Sequence, residues 1–429
     1  MNILTVKKYL PLVIIQFYLL LTIIIYNFGL VNFETRNIFL LHLLLFIYHC
    51  SIAVGFIVGV NLKFKVIHFN FNGLKCYWIF IFASVLGSLI VNKNLSGGAT
   101  LFPDNLFTLL SNPFGSVSIA QIYANRMEHL AGREGGGLLN IVYFLFAWIH
   151  MAFVGYIIFY WKNFNLPKKI LSIVVALMTP FFGIINGLNK PVFDFLLSFG
   201  FSYLILHYII QEKKIRFSRL FFIGLLVFVI FFISFALIMQ ARGANANVLI
   251  DMSPLGGISI DCSSAYLCGS TFYATLAVLN FYLVHGYYGL SLALTETFSS
   301  TFFLGSSHFL LNNLGVLIYS SIEERTFQYK ITEYWHHTAV WHTAYSQIAN
   351  DFHFVGVPLF LMVVSMGFGV AWRALILHRD VIAFLVIPIY ATFYIFLPAN
   401  NQVFNMLAGF SAFVFLNLIL FLRIKFNAK

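Results

Sequence analysis

The side chains of this chain that could do chemistry sit in four short stretches. The first, IYANRMEHLAGREGGG, carries Arg126, Glu128, His129, Arg133 and Glu134. The second, NGLNKPVFD, carries Lys190, and the third, MQARGANAN, carries Arg242. The fourth, residues 322–353, holds Glu323, Glu324, Arg325, Lys330, Glu333, His336, His337, His342, Asp351 and His353, interleaved with Tyr334, Trp335, Trp341 and Tyr345. Guanidinium groups are permanent planar donors that grip phosphate oxygens in pairs, and histidines and carboxylates can move protons. Together they suit an anionic ligand with acid–base groups beside it.

Each stretch also has a structural reading. Arg242 and Lys190 at span ends can snorkel to headgroups, and the tryptophans and tyrosines can form an interfacial belt. Asp351 precedes an apolar run and can serve as a helix N-cap, while Glu128 and Arg133 can form a surface ion pair. His336, His337 and His342 match no standard zinc spacing. GxxxxGK[ST], GxGxxG after a strand, the kinase set, HExxH, paired CxxC and Asp-x-Asp are all missing, so no cofactor, nucleotide or metal is expected.

The elements that must position these groups follow from composition. Of 429 residues, 61% are hydrophobic and 9% charged, where a soluble domain carries about 25% charged. Fifty-two are Phe. The expected fold is an all-α polytopic membrane domain covering residues 1–429, with the lipid bilayer as its solvent. Apolar runs predict ten spans at 9–31, 38–60, 74–92, 138–160, 170–187, 192–211, 220–240, 352–372, 381–397 and 403–422. The first is expected to be a retained span rather than a cleaved signal. The fifth carries Pro180, Gly183 and Gly187 and is expected to be kinked or broken.

Charge sets the expected orientation. With both termini in the cytoplasm, seventeen of the 25 basic residues fall inside, against two acids, Glu212 and Asp380. The other side has eight basic residues against twelve acids, so +15 faces −4 and the net +11 is a topology signal, not a nucleic-acid patch. All four reactive stretches then lie on the non-cytoplasmic side, in a loop at 93–137, a turn at 186–194 and a large loop at 241–351. Within the last, 271–298 and 301–320 are long and nearly uncharged, and either form a hairpin that raises the count to twelve spans or re-enter the membrane. Cys262 and Cys268 share that loop and either pair as a disulfide or remain free.

The chain resembles the O-antigen polymerases, the oligosaccharide repeat-unit polymerases of Gram-negative inner membranes. The likeness rests on YANRM around Arg126, ARG around Arg242, VHGYYGLSLAL at 284–294, WHTAYSQIANDFHFVG at 341–356 and LPANNQ at 397–402. The family usually has Asp-Phe-Gly where this chain has Asp351, Phe352 and His353, and often Arg at the place of Lys190. The resemblance implies a C-type glycosyltransferase-like fold and transfer of a growing glycan from undecaprenyl pyrophosphate onto a new repeat unit. It also implies a chain-length-determining co-polymerase as partner. On that reading Arg126, Arg133, Arg242, Lys190 and Arg325 are candidates for holding the pyrophosphate. Arg242, His337, His342, Glu324 and Asp351 are candidates for the chemical step. A flippase or transporter of lipid-linked sugars and an O-antigen ligase are the competing readings.

Overall fold

The computed structural model describes residues 3–67, 73–95, 101–103, 137–213, scattered positions of 218–237, 257–260, 270–315, 318–337 and 340–426. Among the described residues, eight helices are long and apolar enough to cross a membrane. They are α1 (Ile3–Phe28), α2 (Ile38–Asn61), α3 (Tyr77–Leu95), α4 (Gly137–Tyr160), α5 (Leu166–Ile185), α6 (Lys190–Leu204, continued by a π turn, Ile205–Ile210), α7 (Thr271–Ala293) and α8 (Ala344–His378). Two shorter apolar helices follow, α9 (Val381–Phe396) and α10 (Leu407–Leu422), and a further apolar helix runs at Gly224–Leu237. The chain is a multi-pass helical membrane protein, as its composition requires.

The start of α1 and the last turn of α10 lie at one end of the bundle, here called basal, where Trp372 donates to the Lys7 carbonyl and Arg373 to the Val60 carbonyl. Strand β2 (Phe64–Val66) pairs antiparallel with β4 (Ile424–Phe426), Phe64 facing Phe426. Asp380 caps α9 through the Ala383 amide and forms an ion pair with Arg423 at 2.7 Å. At the opposite, apical end, β1 (Val31–Phe33) pairs antiparallel with β3 (Ile258–Ile260).

The tightest packing joins α2 to α8. Gly55 and Gly59 are spaced as in a small-xxx-small seam. A Cβ on either would lie 2.1 Å from a carbonyl oxygen of α8, that of Met362 or Met366. Only glycine allows the two backbones to meet.

Three expectations change. Span five runs unbroken through Pro180 and ends at Ile185, with Gly187 taking a positive φ in the turn that follows. A proline inside a membrane helix is tolerated because neighbouring groups satisfy the freed carbonyl. The eighth expected span, 352–372, is preceded by a helical segment, 344–352, which Thr343 caps at the Ser346 amide and which a break at His353 (φ 56°, ψ 163°) separates from the spanning part of α8. Residues 344–351 are polar but buried, so hydropathy does not mark them as helix. Asp351 therefore lies two residues before the break, and its carboxylate bonds the 301–306 turn rather than capping the span.

The third change concerns 271–320, where no hairpin of two long helices forms among the described residues. One long helix, α7, is followed by short turns around 308–315 and 322–330. Asn280 of α7 accepts a hydrogen bond from the Leu30 amide, and Tyr287 meets Thr22. A Cβ on Gly286 would lie 2.3 Å from the Pro398 carbonyl. These partners belong to the apical half of α1 and to the loop after α9, so α7 packs into the apical half of the bundle.

Candidate functional site

The spanning part of α8, which begins after the break at His353, and the apical end of α9 both stop well short of the apical ends of α1 and α2, and Tyr345 of the preceding segment lies against Tyr48 at 5.0 Å. Tyr18 donates to the Ile395 carbonyl at 2.7 Å, and Tyr48 donates to the Phe354 carbonyl at 3.1 Å. Each tyrosine lies ten residues in from the apical end of its helix, about 15 Å at 1.5 Å per residue. The start of α8 and the 397–406 loop thus form a floor sunk roughly half-way through the bundle.

That floor is a network of amides and hydroxyls. Asn350 receives the Phe327 amide and donates to Gln328 and to the Gly305 carbonyl. Gln328 donates to Ser346, Asn405 to Gln347, and Asn401 to the Ser306 carbonyl. Asp351 accepts from the Thr301 hydroxyl (2.5 Å), the Gly305 amide (3.0 Å), and the Ser306 amide (2.7 Å) and hydroxyl (2.5 Å). In hydrocarbon such groups survive only when paired, and here they hold the non-helical segments 297–307 and 397–406 together.

Beside the floor lies a cavity of about 140 Å³ bounded by α4, α5, α6, α9 and the short turn Gln402–Asn405. Lys190, at the first turn of α6, pairs there with Asp194 one turn on, each side chain about a quarter exposed. Thr179, Thr392 and Gln402 add polar atoms to walls that are otherwise largely apolar. The ammonium borders a largely apolar space with a few polar groups, an arrangement suited to an anion that arrives from the apical side. Asp194 neutralises the cation while the cavity is empty, so an anion would have to compete with it.

The remaining candidates separate. Arg325 donates to the Ser300 carbonyl and stacks over Tyr319 and Phe302, at 4.7 and 5.2 Å. It stands one residue from Thr301, so Arg325 and Asp351 converge on the same turn. Glu324 is exposed on the neighbouring 3-10 turn. His337 bonds to Thr332 and places Nε2 3.7 Å from Glu323. Burial holds its pKa below the usual 6.5, with Glu323 opposing and His336 adding to the shift. His342 is 2% exposed, and its ring lies against Gly289 of α7; in this state a substrate cannot reach it. Lys190 lies in a different cavity from Asp351, with the 402–409 segment between them. Arg126, Arg133, Arg242, Cys262 and Cys268 lie outside the described residues.

The polar groups not singled out from sequence are Asp194, Gln402, Thr179 and Thr392, together with the amides of the floor. The Lys190–Asp194 spacing of four was a readable signal, since such positions are neighbours on a helix. Floor residues 346–351 and 401–402 fall within the WHTAYSQIANDFHFVG and LPANNQ stretches, but their pairing had no local signal, because the partners come from segments up to a hundred residues apart.

The fold and the sunken polar floor define an integral membrane protein with a buried polar network inside its helical bundle. No family model, curated protein or solved structure matches the chain.

Proposed function

We propose that this chain is a glycosyltransferase of the O-antigen polymerase kind in a bacterial inner membrane. It would join undecaprenyl-pyrophosphate-linked repeat units at the periplasmic face. The observation that carries the reading is the half-depth cavity that places Lys190 beside a polar floor. A lipid-borne pyrophosphate drawn from the apical side into that cavity would meet the Lys190 ammonium, and its charge grows as the sugar–phosphate bond breaks. A cation already in position stabilises that charge without reorganising. The basal end carries Lys7, Lys8, Lys63, Lys65, Lys168, Lys169, Arg373, Arg379, Arg423 and Lys425. Such a density of Lys and Arg supports a cytoplasmic basal end, with the cavity on the periplasmic side.

A deletion strain tests the reading. Lipopolysaccharide capped by a single repeat unit is the expected phenotype. Complete loss of O-units from lipid A–core points instead to a flippase or a ligase.

A further inference from the structure

The Lys190 cavity has one more titratable side chain in its wall. His150, in the middle of α4, lines it together with Lys190 and Asp194, and among the described residues these three are its only titratable groups. The imidazole owes its place to a glycine on α3. A Cβ on Gly87 would stand 2.6 Å from the His150 Cγ and 2.9 Å from its Nδ1.

The Nδ1 edge of the ring therefore faces α3. Nδ1 is buried and makes no hydrogen bond, and the α3 group that acts on the ring is the Ser84 backbone. The Ser84 amide is spent inside its helix, so the carbonyl is what it offers. A neutral imidazole carries one N–H and one lone pair. The N–H belongs on Nδ1, on the side of that carbonyl, and the lone pair on Nε2, at the ring edge turned away from α3 and towards the cavity.

Neighbouring contacts set the depth. Thr179 of α5, also a cavity residue, meets the Ser88 hydroxyl at 2.8 Å. Ser88 follows Gly87, so Thr179 and His150 share a level. Pro191, next to Lys190, packs against Gly183, where a Cβ would lie 2.7 Å from its Cγ. Gly183 is four residues apical of Thr179, about 6 Å. From there α6 runs basally, and Asp194, four residues on, draws the Lys190 ammonium back towards the level of Thr179. The cation and the imidazole thus line the cavity at about one depth. Lys190 engages the Asp194 carboxylate, which leaves Nε2 of His150 as the uncommitted base.

We infer that His150 is a proton acceptor in this cavity, taking the proton of a hydroxyl that reacts beside the Lys190 ammonium. The inference rests on the reading that a lipid-linked glycan is transferred here. As the oxygen of the attacking hydroxyl bonds the anomeric carbon, its O–H bond breaks and the proton passes to Nε2. The bond from that carbon to the phosphate oxygen breaks, and its electron pair leaves on the lipid pyrophosphate, next to Lys190. The imidazolium then gives its proton to water, which restores the base.

The test uses the full chain in nanodiscs, with single repeat units on undecaprenyl pyrophosphate as substrate. His150→Gln should lower kcat about 100-fold with KM nearly unchanged, and Gly87→Val, which displaces the ring, should act in the same direction. The parent rate should fall as pH drops, because a protonated Nε2 accepts nothing. His150→Gln should lose that acidic limb, and Lys190→Arg should keep it. Diethyl pyrocarbonate, which acylates unprotonated imidazole, should modify His150 in the folded parent, with inorganic pyrophosphate protecting it, as read by mass spectrometry. A parental rate in His150→Gln, an acidic limb that survives in it, or a His150 that stays unmodified or unprotected in the parent overturns the proposal. Should His150→Gln fail to fold, acylation of the parent decides. A single-unit deletion phenotype alongside any of those results removes His150 alone. A deletion strain lacking all O-units removes the polymerase reading, while protection by pyrophosphate would still tie His150 to an anion in the cavity.

Discussion

Asp351 invites both a chemical and a structural role, and substitution separates them. Its carboxylate accepts four hydrogen bonds, two of them from the backbone amides of Gly305 and Ser306. Asp351→Ala orphans both amides at about 1–3 kcal/mol each, hence a loss of about 2–6 kcal/mol. That is a large part of the ~5–15 kcal/mol that holds a typical domain together. It also releases the left-handed turn at Phe302 and Phe303. Asp351→Asn keeps one acceptor oxygen but turns an NH2 towards donors, so its cost should be about half as large. The assay is thermal unfolding of the purified protein followed by tryptophan fluorescence, with chymotrypsin cleavage at Phe302 and Phe303 as a local readout. Both variants should melt earlier and be cut faster, Ala more than Asn. If Asp351→Asn melts like the parent yet makes no long O-chains, the carboxylate acts as a base and the structural argument is refuted.

Four further outcomes are expected. Lys190→Gln should shorten O-chains to single units with normal membrane insertion, and Lys190→Arg should retain them; long chains from the Gln variant would exclude the ammonium from the reaction. His353 sits at φ 56°, ψ 163°, a region open essentially to glycine. His353→Gly should therefore raise the melting temperature by the equivalent of about 1 kcal/mol, and a fall would show that the histidine side chain outweighs the strain. Gly59→Ile should abolish the α2–α8 seam and yield aggregated protein, detectable by size-exclusion chromatography in detergent. His337, with its pKa held below 6.5 by burial, binds fewer protons when folded than when unfolded. Stability should thus fall as pH drops through and below 6.5, and His337→Asn should flatten that slope in melting curves taken from pH 7.5 to 5.

Much of the bundle was legible because hydropathy is a local property. Seven of the ten expected spans coincide with α1–α6 and α8, and the other three with the shorter apolar helices. What escaped was set by distant partners. Residues 344–351 read as loop because Ser346, Gln347, Asn350 and Asp351 are polar, yet each finds its mate in segments 300–328 or 400–405. Helix α7 was recognisable as apolar but not as a helix packed into the apical half, since that depends on Asn280 meeting the end of α1. At His353 no glycine marks the backbone break, yet the positive φ lies at that residue. For the site, Lys190 and Arg325 were found by charge and Asp194 was readable from its spacing of four, while Gln402 and Phe302 depended on contacts the sequence does not display.

The basal β2–β4 pair bears on how the molecule is assembled. Phe64 leaves the ribosome some 360 residues before Phe426, so the early hairpin of α1 and α2 waits, unlatched, until α10 has entered the bilayer. Deleting residues 424–426 should then leave an inserted but loosely closed protein, prone to capture by membrane quality-control proteases. The clasp thereby makes completion of biosynthesis a condition for long cellular half-life.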